Sequence, residues 1–294
     1  MSSPTSFDID ERNSRRERQR GFMARSAGDF LRNLRKLPAW GASALRCVQT
    51  FEHPREVLRE YWRGAPPGRE TVPLRNGMRI AHAGGPEDLV TLFLIFARRD
   101  YGRMRPGSRV IDIGANIGAF SLYAASLGAA AVHAYEPCSE SFALLTRNVE
   151  ANGLSGVITP RRLVAAGRDR EQAAFPRKSS VYNRAANDAG PGTDLVATVS
   201  LATIVDEHCG GETVDLLKID CEGGEYDLLL CAPNSAFRRI QRIRMEYHQG
   251  GDGRVDRLIQ RLQAAGYSLT WRQDDSPGLG QLWFDREREG ENQG

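Results

Sequence analysis

The chain has 294 residues, of which 26% are charged and 8% aromatic, and its formal net charge is +3. This length allows one large α/β domain with an extension, and so small a net charge gives no reason to expect nucleic acid as a partner. The five cysteines include no Cys-x-x-Cys pair, so neither a disulfide framework nor a zinc site is predicted.

The first 68 residues are predicted to form a disordered start followed by a helical extension. The first twenty have no apolar core, so no secretory signal is expected, and no apolar run predicts a membrane span. We therefore expect a cytoplasmic protein. Apolar residues at helical spacing across 22–47, interrupted by Pro38, and across 54–63 predict two helices. A Pro- and Gly-containing linker at 65–68 indicates a domain boundary near residue 68.

Residues 69–286 carry the alternation of strands and helices that is typical of a parallel α/β sheet. A hairpin with Asn76-Gly77 at its turn and an apolar helix over 89–98 come first. Strands are predicted near 109–113, 131–136, 157–164, 214–220, 241–247, 267–272 and 281–285, and helices near 117–127, 139–152, 223–231 and 252–265. The last two strands are too close for a crossover helix and should pair antiparallel. Residues 287–294 are predicted to form a disordered tail.

A polar segment over 171–196 interrupts this alternation with prolines, serines and asparagines. Insertions of this length inside a compact domain are usually functional or disordered. Because it follows a strand, it should lie at the sheet edge where α/β proteins bind ligands. We predict an irregular substrate lid, with disorder of its middle part as the alternative.

A glycine turn follows the strand at 109–113 and indicates a nucleotide-type cofactor. Asn116 stands between Gly114 and Gly118, so the dinucleotide pattern Gly-x-Gly-x-x-Gly fails. Asp112 would repel a pyrophosphate but suits a cationic cofactor without phosphate. The second strand ends at Glu136, whose two oxygens can accept hydrogen bonds from a ribose diol. These features predict S-adenosylmethionine.

Four segments resemble the FkbM-type S-adenosylmethionine-dependent methyltransferases. They are VIDIGANIGAF at Val110–Phe120, Tyr135-Glu136-Pro137, NVEANGL at Asn148–Leu154 and VDLLKIDCEGGEYDL at Val214–Leu228. The resemblance covers roughly residues 70–285. It implies a class I methyltransferase fold: a Rossmann-like, mostly parallel sheet with an antiparallel C-terminal strand. It also implies methyl transfer, often to a hydroxyl of a sugar or a secondary metabolite.

The candidate cofactor residues lie at the predicted strand ends. Asp112 should order the glycine turn or face the methionine ammonium through water, and Asn116 tolerates a left-handed conformation. Tyr101 either closes over the methionine end or only packs. The full set is Tyr101, Asp112, Gly114, Asn116, Gly118, Glu136, Pro137, Val164 and Ala165, of which the last two are expected beside the adenine.

The candidate catalytic residues are His248, Asp220 and Glu246. Side chains alternate along a strand, so Lys218 shares a face with Asp220 and Glu246 shares one with His248. His248 has the ordinary pKa best suited to a base at neutral pH, and either acid can orient it or act as the base itself. Alternatively, Asp220 and Glu222 brace the following turn with Lys218 as counter-ion. These acids with His248 could also bind a divalent cation, but their spacing does not require one, so no metal is predicted.

The function predicted is methyl transfer from S-adenosylmethionine to a hydroxyl of a small molecule. Alternatives are N- or carboxyl-methylation of a peptide or amide, and a non-catalytic scaffold that binds S-adenosylmethionine. A nucleic-acid methyltransferase is disfavoured, because the strand end at Asp220–Gly223 lacks the Asn/Asp-Pro-Pro-Tyr/Phe tetrapeptide of amino-group base methylases. The expected partner is a sugar, natural product or peptide substrate, without nucleic acid or a membrane, and a homo-oligomer is possible.

Overall fold

The computed structural model describes residues 37–178, 185, 190–209, 212–248, 254–276 and 278–286. The predictions for the first 36 residues, for the tail at 287–294 and for the middle of the insertion lie outside them. No helix in the described part of the chain is long and apolar enough to cross a membrane.

Two helices and a hairpin open the described chain, as predicted. Helix α1 spans Leu37–Thr50 and α2 spans Pro54–Arg63. Pro38 lies in the first turn of α1, where a missing amide hydrogen costs no helical hydrogen bond, so it begins this helix rather than interrupting it. Strands β1 (Thr71–Pro73) and β2 (Arg79–Ala81) pair antiparallel. The hairpin prediction is therefore confirmed.

The apolar helix predicted over 89–98 is longer and divided in two. Helix α3 spans Pro86–Leu92 and continues as a π-helical turn over Phe93–Arg98. The side chain of Asp88 fixes its start, because Oδ2 accepts hydrogen bonds from three successive backbone N–H groups at residues 83–85. Arg99, at φ +65°, ends the turn in a left-handed conformation.

The remaining elements form a central sheet of seven strands with helices on both sides. The strands are β3 (Arg109–Ile113), β4 (Ala131–Tyr135), β5 (Ile158–Arg161), β9 (Leu216–Ile219), β10 (Arg242–Tyr247), β11 (Tyr267–Ser276) and β12 (Leu279–Arg286). The helices between them are α4 (Ala119–Ser126), α5 (Ser139–Ala151), α7 (Glu225–Cys231), α8 (Asn234–Arg238) and α9 (Arg254–Ala264). Of these helices, α8 was not predicted from the sequence.

The central sheet has the strand order β11-β12-β10-β9-β3-β4-β5. The neighbouring pairs from β10 to β5 are parallel, whereas β12 runs antiparallel to both β10 and β11. The mostly parallel sheet with an antiparallel C-terminal strand is therefore confirmed. The chain leaves β3 towards β4 and later returns to its other side with β9. This reversal opens a crevice at the carboxyl end of β3, where open α/β sheets bind their ligands.

A second, three-stranded sheet replaces two sequence predictions. The strand predicted near 157–164 is present but shorter, because β5 ends at Arg161 and β6 (Val164–Ala166) pairs outside the central sheet with β8 (Thr193–Ser200). The prediction of an irregular segment over 171–196 is wrong at both ends. Strands β7 (Gln172–Pro176) and β8 (Thr193–Ser200) form an antiparallel pair there, followed by helix α6 (Leu201–Cys209). The apolar runs of these two strands are short and flanked by prolines and glycines, so the sequence did not predict them as strands.

The central sheet separates two hydrophobic clusters. Val110 of β3 packs with α1–α5, whereas its neighbour Ile111 packs with α6–α9, as expected from the alternation of side chains along a strand. Phe51 and Val57 of the N-terminal segment belong to the same cluster as Val110. The boundary predicted near residue 68 stays a prediction.

Candidate active site

The glycine turn after β3 takes the left-handed conformations that its sequence predicts. Gly114, Asn116 and Gly118 have φ values of +72°, +50° and +88°. A Cβ atom added at Gly114 would lie 1.7 Å from the backbone oxygen of Asp220, and one at Gly118 would lie 2.6 Å from Leu145 Cδ1. Gly114 is therefore needed for close packing of the turn against the end of β9, whereas the atom that Gly118 would meet is the end of a side chain.

Asp112 forms a buried ion pair with Lys218. Its Oδ1 lies 3.0 Å from Lys218 Nζ, and its Oδ2 accepts a hydrogen bond of 2.7 Å from Ser121 Oγ. The same ammonium donates to the backbone oxygen of Gly114 at 2.7 Å. Burial alone would lower the pKa of Lys218, but the carboxylates of Asp112 and Asp220 together outweigh it and raise this pKa. Of the two roles predicted for Asp112, this geometry favours ordering of the glycine turn.

Glu136 lies at the carboxyl end of β4 and closes over the glycine turn. Its Oε2 accepts a hydrogen bond from the backbone N–H of Asn116, and its Oε1 accepts one from that of Cys138, each at 2.8 Å. Burial raises the pKa of Glu136 from 4.5 to about 7, although these two donors act in the opposite direction. The carboxyl group is therefore poised to change its charge near neutral pH.

The four other predicted cofactor residues lie at different places. The buried Tyr101 donates a hydrogen bond of 3.1 Å from its hydroxyl to Asp220 Oδ2. Pro137 follows Glu136, and its backbone oxygen accepts a hydrogen bond from Arg162. Val164 and Ala165 belong to β6 and therefore lie in the second sheet rather than at the end of β5. Their contact with an adenine stays a prediction.

The three predicted catalytic residues come together at the ends of β9 and β10. These strands pair in parallel with Lys218 opposite Arg244, so continuing the register places Asp220 opposite Glu246. One ligand atom from each of Asp220, Glu246 and His248 lies within 4.8 Å of the other two. Tyr101 and the Gly114 turn contact the same Asp220. The predicted cofactor turn and the predicted catalytic residues are thus neighbours.

The imidazole of His248 is surrounded by carboxylates. Its Nε2 lies 3.2 Å from Glu246 Oε1 and 3.3 Å from Glu222 Oε2, and its Nδ1 lies 3.6 Å from Glu225 Oε1. Burial alone would lower the pKa of this imidazole, but the three acids outweigh it and raise the pKa far above its ordinary range. At neutral pH the ring carries a proton, which works against the role of base predicted for it.

Glu225 is a residue of the site that the sequence analysis did not select. It is fully buried in the first turn of α7 and accepts hydrogen bonds from the backbone N–H groups of His248 at 2.7 Å and Gly223 at 2.8 Å. It therefore holds the ends of β9 and β10 together. Glu222, in the intervening turn, has a left-handed φ of +51°. The signal that could have found Glu225 is an acid at the first position of α7, directly after the turn that ends β9.

The chain is similar to known methyltransferases. The methyltransferase FkbM domain family matches residues 112–269. The 31-O-demethyl-FK506 methyltransferase FkbM of Streptomyces tacrolimicus is 27% identical over 70% of this chain and 91% of that protein. The AMB antimetabolite synthetase AmbE of Pseudomonas aeruginosa is 28% identical over 69% of this chain but only 12% of its own length. The family match over residues 112–269 includes both the glycine turn and the cluster around His248.

Among solved structures, Methanocaldococcus jannaschii Trm5 in complex with adenosine is similar to this chain with a TM-score of 0.43. Its identity is 14%, and the alignment covers 76% of this chain and 57% of that chain. The strand order of the central sheet assigns the fold independently of this similarity.

Proposed function

The chain belongs to the family of FkbM-type methyltransferases, and we propose that it transfers a methyl group from S-adenosylmethionine to a hydroxyl of a small molecule such as a sugar or a secondary metabolite. One observation carries the proposal: Gly114 packs directly against the backbone of Asp220. The turn assigned to the cofactor and the carboxylates assigned to proton removal are therefore side by side.

The residues at the glycine turn fit an adenosyl cofactor. Each oxygen of Glu136 accepts one backbone N–H, and each therefore keeps acceptor capacity for a ribose hydroxyl. The charge of Asp112 is compensated by Lys218, so this carboxylate acts by holding the turn. When bound, S-adenosylmethionine supplies an electrophilic methyl group on a sulfonium. The role of the chain here is to hold the ribose and to orient that methyl group towards Asp220.

A hydroxyl acceptor must lose its proton as its oxygen attacks the methyl carbon. Asp220 and Glu246 are the carboxylates placed to take this proton, and the charged ring of His248 positions Glu246 at 3.2 Å. The new oxygen–carbon bond forms as the carbon–sulfur bond breaks, and the two must be in line for the displacement. The cluster thus supplies the base that an alcohol acceptor requires. A carboxylate acceptor needs no such base.

The assignment to an oxygen also has support from a relative. The name of the Streptomyces tacrolimicus enzyme describes methylation of a 31-O-demethyl compound, that is, at an oxygen. We propose that residues 69–286 form the catalytic unit that carries out this chemistry, and that the helices before residue 68 form an extension of it. That the acceptor is a small molecule rather than nucleic acid is part of the same proposal.

Methyl transfer to matched acceptors tests the proposal. The purified full chain is incubated with methyl-labelled S-adenosylmethionine and with alcohols of the sugar and secondary-metabolite classes, each paired with its analogue lacking that hydroxyl. We expect label in a product that requires the hydroxyl and survives mild alkali, as an ether does. The variant Glu246→Gln should lose about 100-fold in rate or more, whereas Glu56→Gln, in a surface pair with Arg69, should not. Alkali-labile label, or label on an amine, would contradict the proposal.

A further inference from the structure

Two carboxylates and one imidazole at the ends of β9 and β10 have the spacing of ligands to one metal ion. The ligand atoms of Asp220, Glu246 and His248 all lie within 4.8 Å of one another, and Glu246 Oε1 is 3.2 Å from His248 Nε2. Two ligand atoms bound at about 2.1 Å to one octahedral ion lie about 3 Å apart when adjacent and about 4.2 Å apart when opposite. The 3.2 Å between Glu246 Oε1 and His248 Nε2 is close to the separation of an adjacent pair.

Among the described residues, the ring nitrogens of His248 have no well-oriented hydrogen-bond partner. The residue is 8% exposed, yet neither Nδ1 nor Nε2 has a partner in hydrogen-bonding geometry in that part of the chain, although carboxylate oxygens lie within 3.6 Å of both. Buried polar atoms normally satisfy their hydrogen-bonding capacity, so such an atom needs an explanation. Metal binding would replace the proton on Nε2 by the ion, and an imidazole nitrogen held between two carboxylates is the arrangement expected of a metal ligand.

Among the described residues, the cluster brings together more carboxylates than cations. Four carboxylates lie around the one imidazole of His248, namely Asp220, Glu222, Glu225 and Glu246. Lys218, the nearest ammonium described, is paired with Asp112 at 3.0 Å. Like charges held together out of water are costly, and a divalent cation among them removes most of that cost.

We propose that Asp220, Glu246 and His248 bind one divalent cation of the Mn²⁺ class, and that this ion binds the hydroxyl oxygen of the methyl acceptor. Two carboxylates with one imidazole suit such an ion better than Ca²⁺ or Mg²⁺, which prefer oxygen ligands alone. The binding of the acceptor hydroxyl to this ion rests on the proposed function, because it requires an alcohol as acceptor.

With the ion bound, the carboxylates of the cluster take different roles in methyl transfer. Coordination lowers the pKa of the acceptor hydroxyl. Its proton then passes to Glu222, the carboxylate next to His248 Nε2 that is not a ligand. The acceptor oxygen forms its bond to the methyl carbon as the carbon–sulfur bond breaks, and the ion is unchanged. Asp220 and Glu246 then act as ligands and not as bases.

Titration with Mn²⁺ tests the site without S-adenosylmethionine or an acceptor. The full chain is stripped with EDTA, and the free Mn²⁺ signal is followed by electron paramagnetic resonance. We expect one ion per chain, bound at least about tenfold more weakly in each of Asp220→Asn, Glu246→Gln and His248→Gln. Glu56→Gln, a surface carboxylate change, should bind as the original chain does.

A second measurement covers the case in which a variant fails to fold. In the unsubstituted chain, the pulsed spectrum of bound Mn²⁺ should show the hyperfine coupling of one imidazole nitrogen. Absence of a stoichiometric ion, absence of that coupling, or unchanged affinity in all three folded variants would overturn the inference. None of these outcomes affects the proposed function, which is read by methyl transfer and by cofactor binding.

Discussion

Replacing Lys218 by methionine should destabilise the protein strongly, because it removes the only cation that touches Asp112 among the described residues. The two side chains are 4% and 0% exposed and lie 3.0 Å apart. Without the ammonium, Asp112 keeps only its hydrogen bond from Ser121, and the backbone oxygen of Gly114 loses its donor. Leaving a buried charge without its partner costs about 3–5 kcal/mol. We expect Lys218→Met to lower the free energy of unfolding by that amount.

Urea unfolding followed by circular dichroism measures this loss. Lys178→Met is the matched control, because that lysine is exposed and its replacement should change the free energy of unfolding by less than about 0.5 kcal/mol. The double variant Asp112→Asn/Lys218→Met should lose less than the sum of its single variants, by about 2 kcal/mol. A loss below about 1 kcal/mol for Lys218→Met, or strict additivity in the double variant, would refute the reasoning.

Three further predictions concern the glycine turn and its neighbours. Gly77 has a left-handed φ but open space around it, so Gly77→Ala should lower the free energy of unfolding in urea by about 1–2 kcal/mol. Gly114 also has a left-handed φ, and a side chain there would meet the backbone of Asp220, so Gly114→Ala should cost about 1–3 kcal/mol more. Burial raises the pKa of Glu136 from 4.5 to about 7. Between these two pH values the carboxyl group is protonated in the folded chain and ionised in the unfolded chain. The free energy of unfolding should therefore fall by about 3 kcal/mol as pH rises from 4.5 to 7 and then level off, and Glu136→Gln should remove that slope. Tyr101→Phe removes the hydrogen bond to Asp220 and should lower kcat/KM about tenfold in steady-state assays, with stability changed by less than about 1.5 kcal/mol.

The central sheet could be predicted because each of its strands is marked by a local apolar run. The strand at 109–113, the turn glycines and the acid at Glu136 follow from residue types and spacing alone. The antiparallel ending follows from the short connection after β11. Alternation along β9 and β10 was also enough to bring Asp220, Glu246 and His248 into one cluster, since parallel neighbours end at the same edge.

Contacts between distant segments could not be predicted. Val164 leaves the central sheet because β8, more than thirty residues later, offers it a partner. The charge of His248 depends on Glu225, which reaches it from another element. The pairing of Asp112 with Lys218 joins residues more than one hundred positions apart. Sequence spacing gives the residue types at each strand end, whereas the ionisation of each group depends on neighbours that only the fold brings together.

Isothermal titration of the full chain with S-adenosylhomocysteine and with NAD tests the central claim most directly. The account predicts binding of the adenosyl ligand alone, and at least about tenfold weaker binding by Glu136→Ala, because the hydrogen bonds of this carboxyl group to the ribose are lost. Glu56→Gln should bind as the original chain does. Binding of NAD, or no binding of either ligand, would contradict the assignment of the turn from Asp112 to Gly118 to this cofactor.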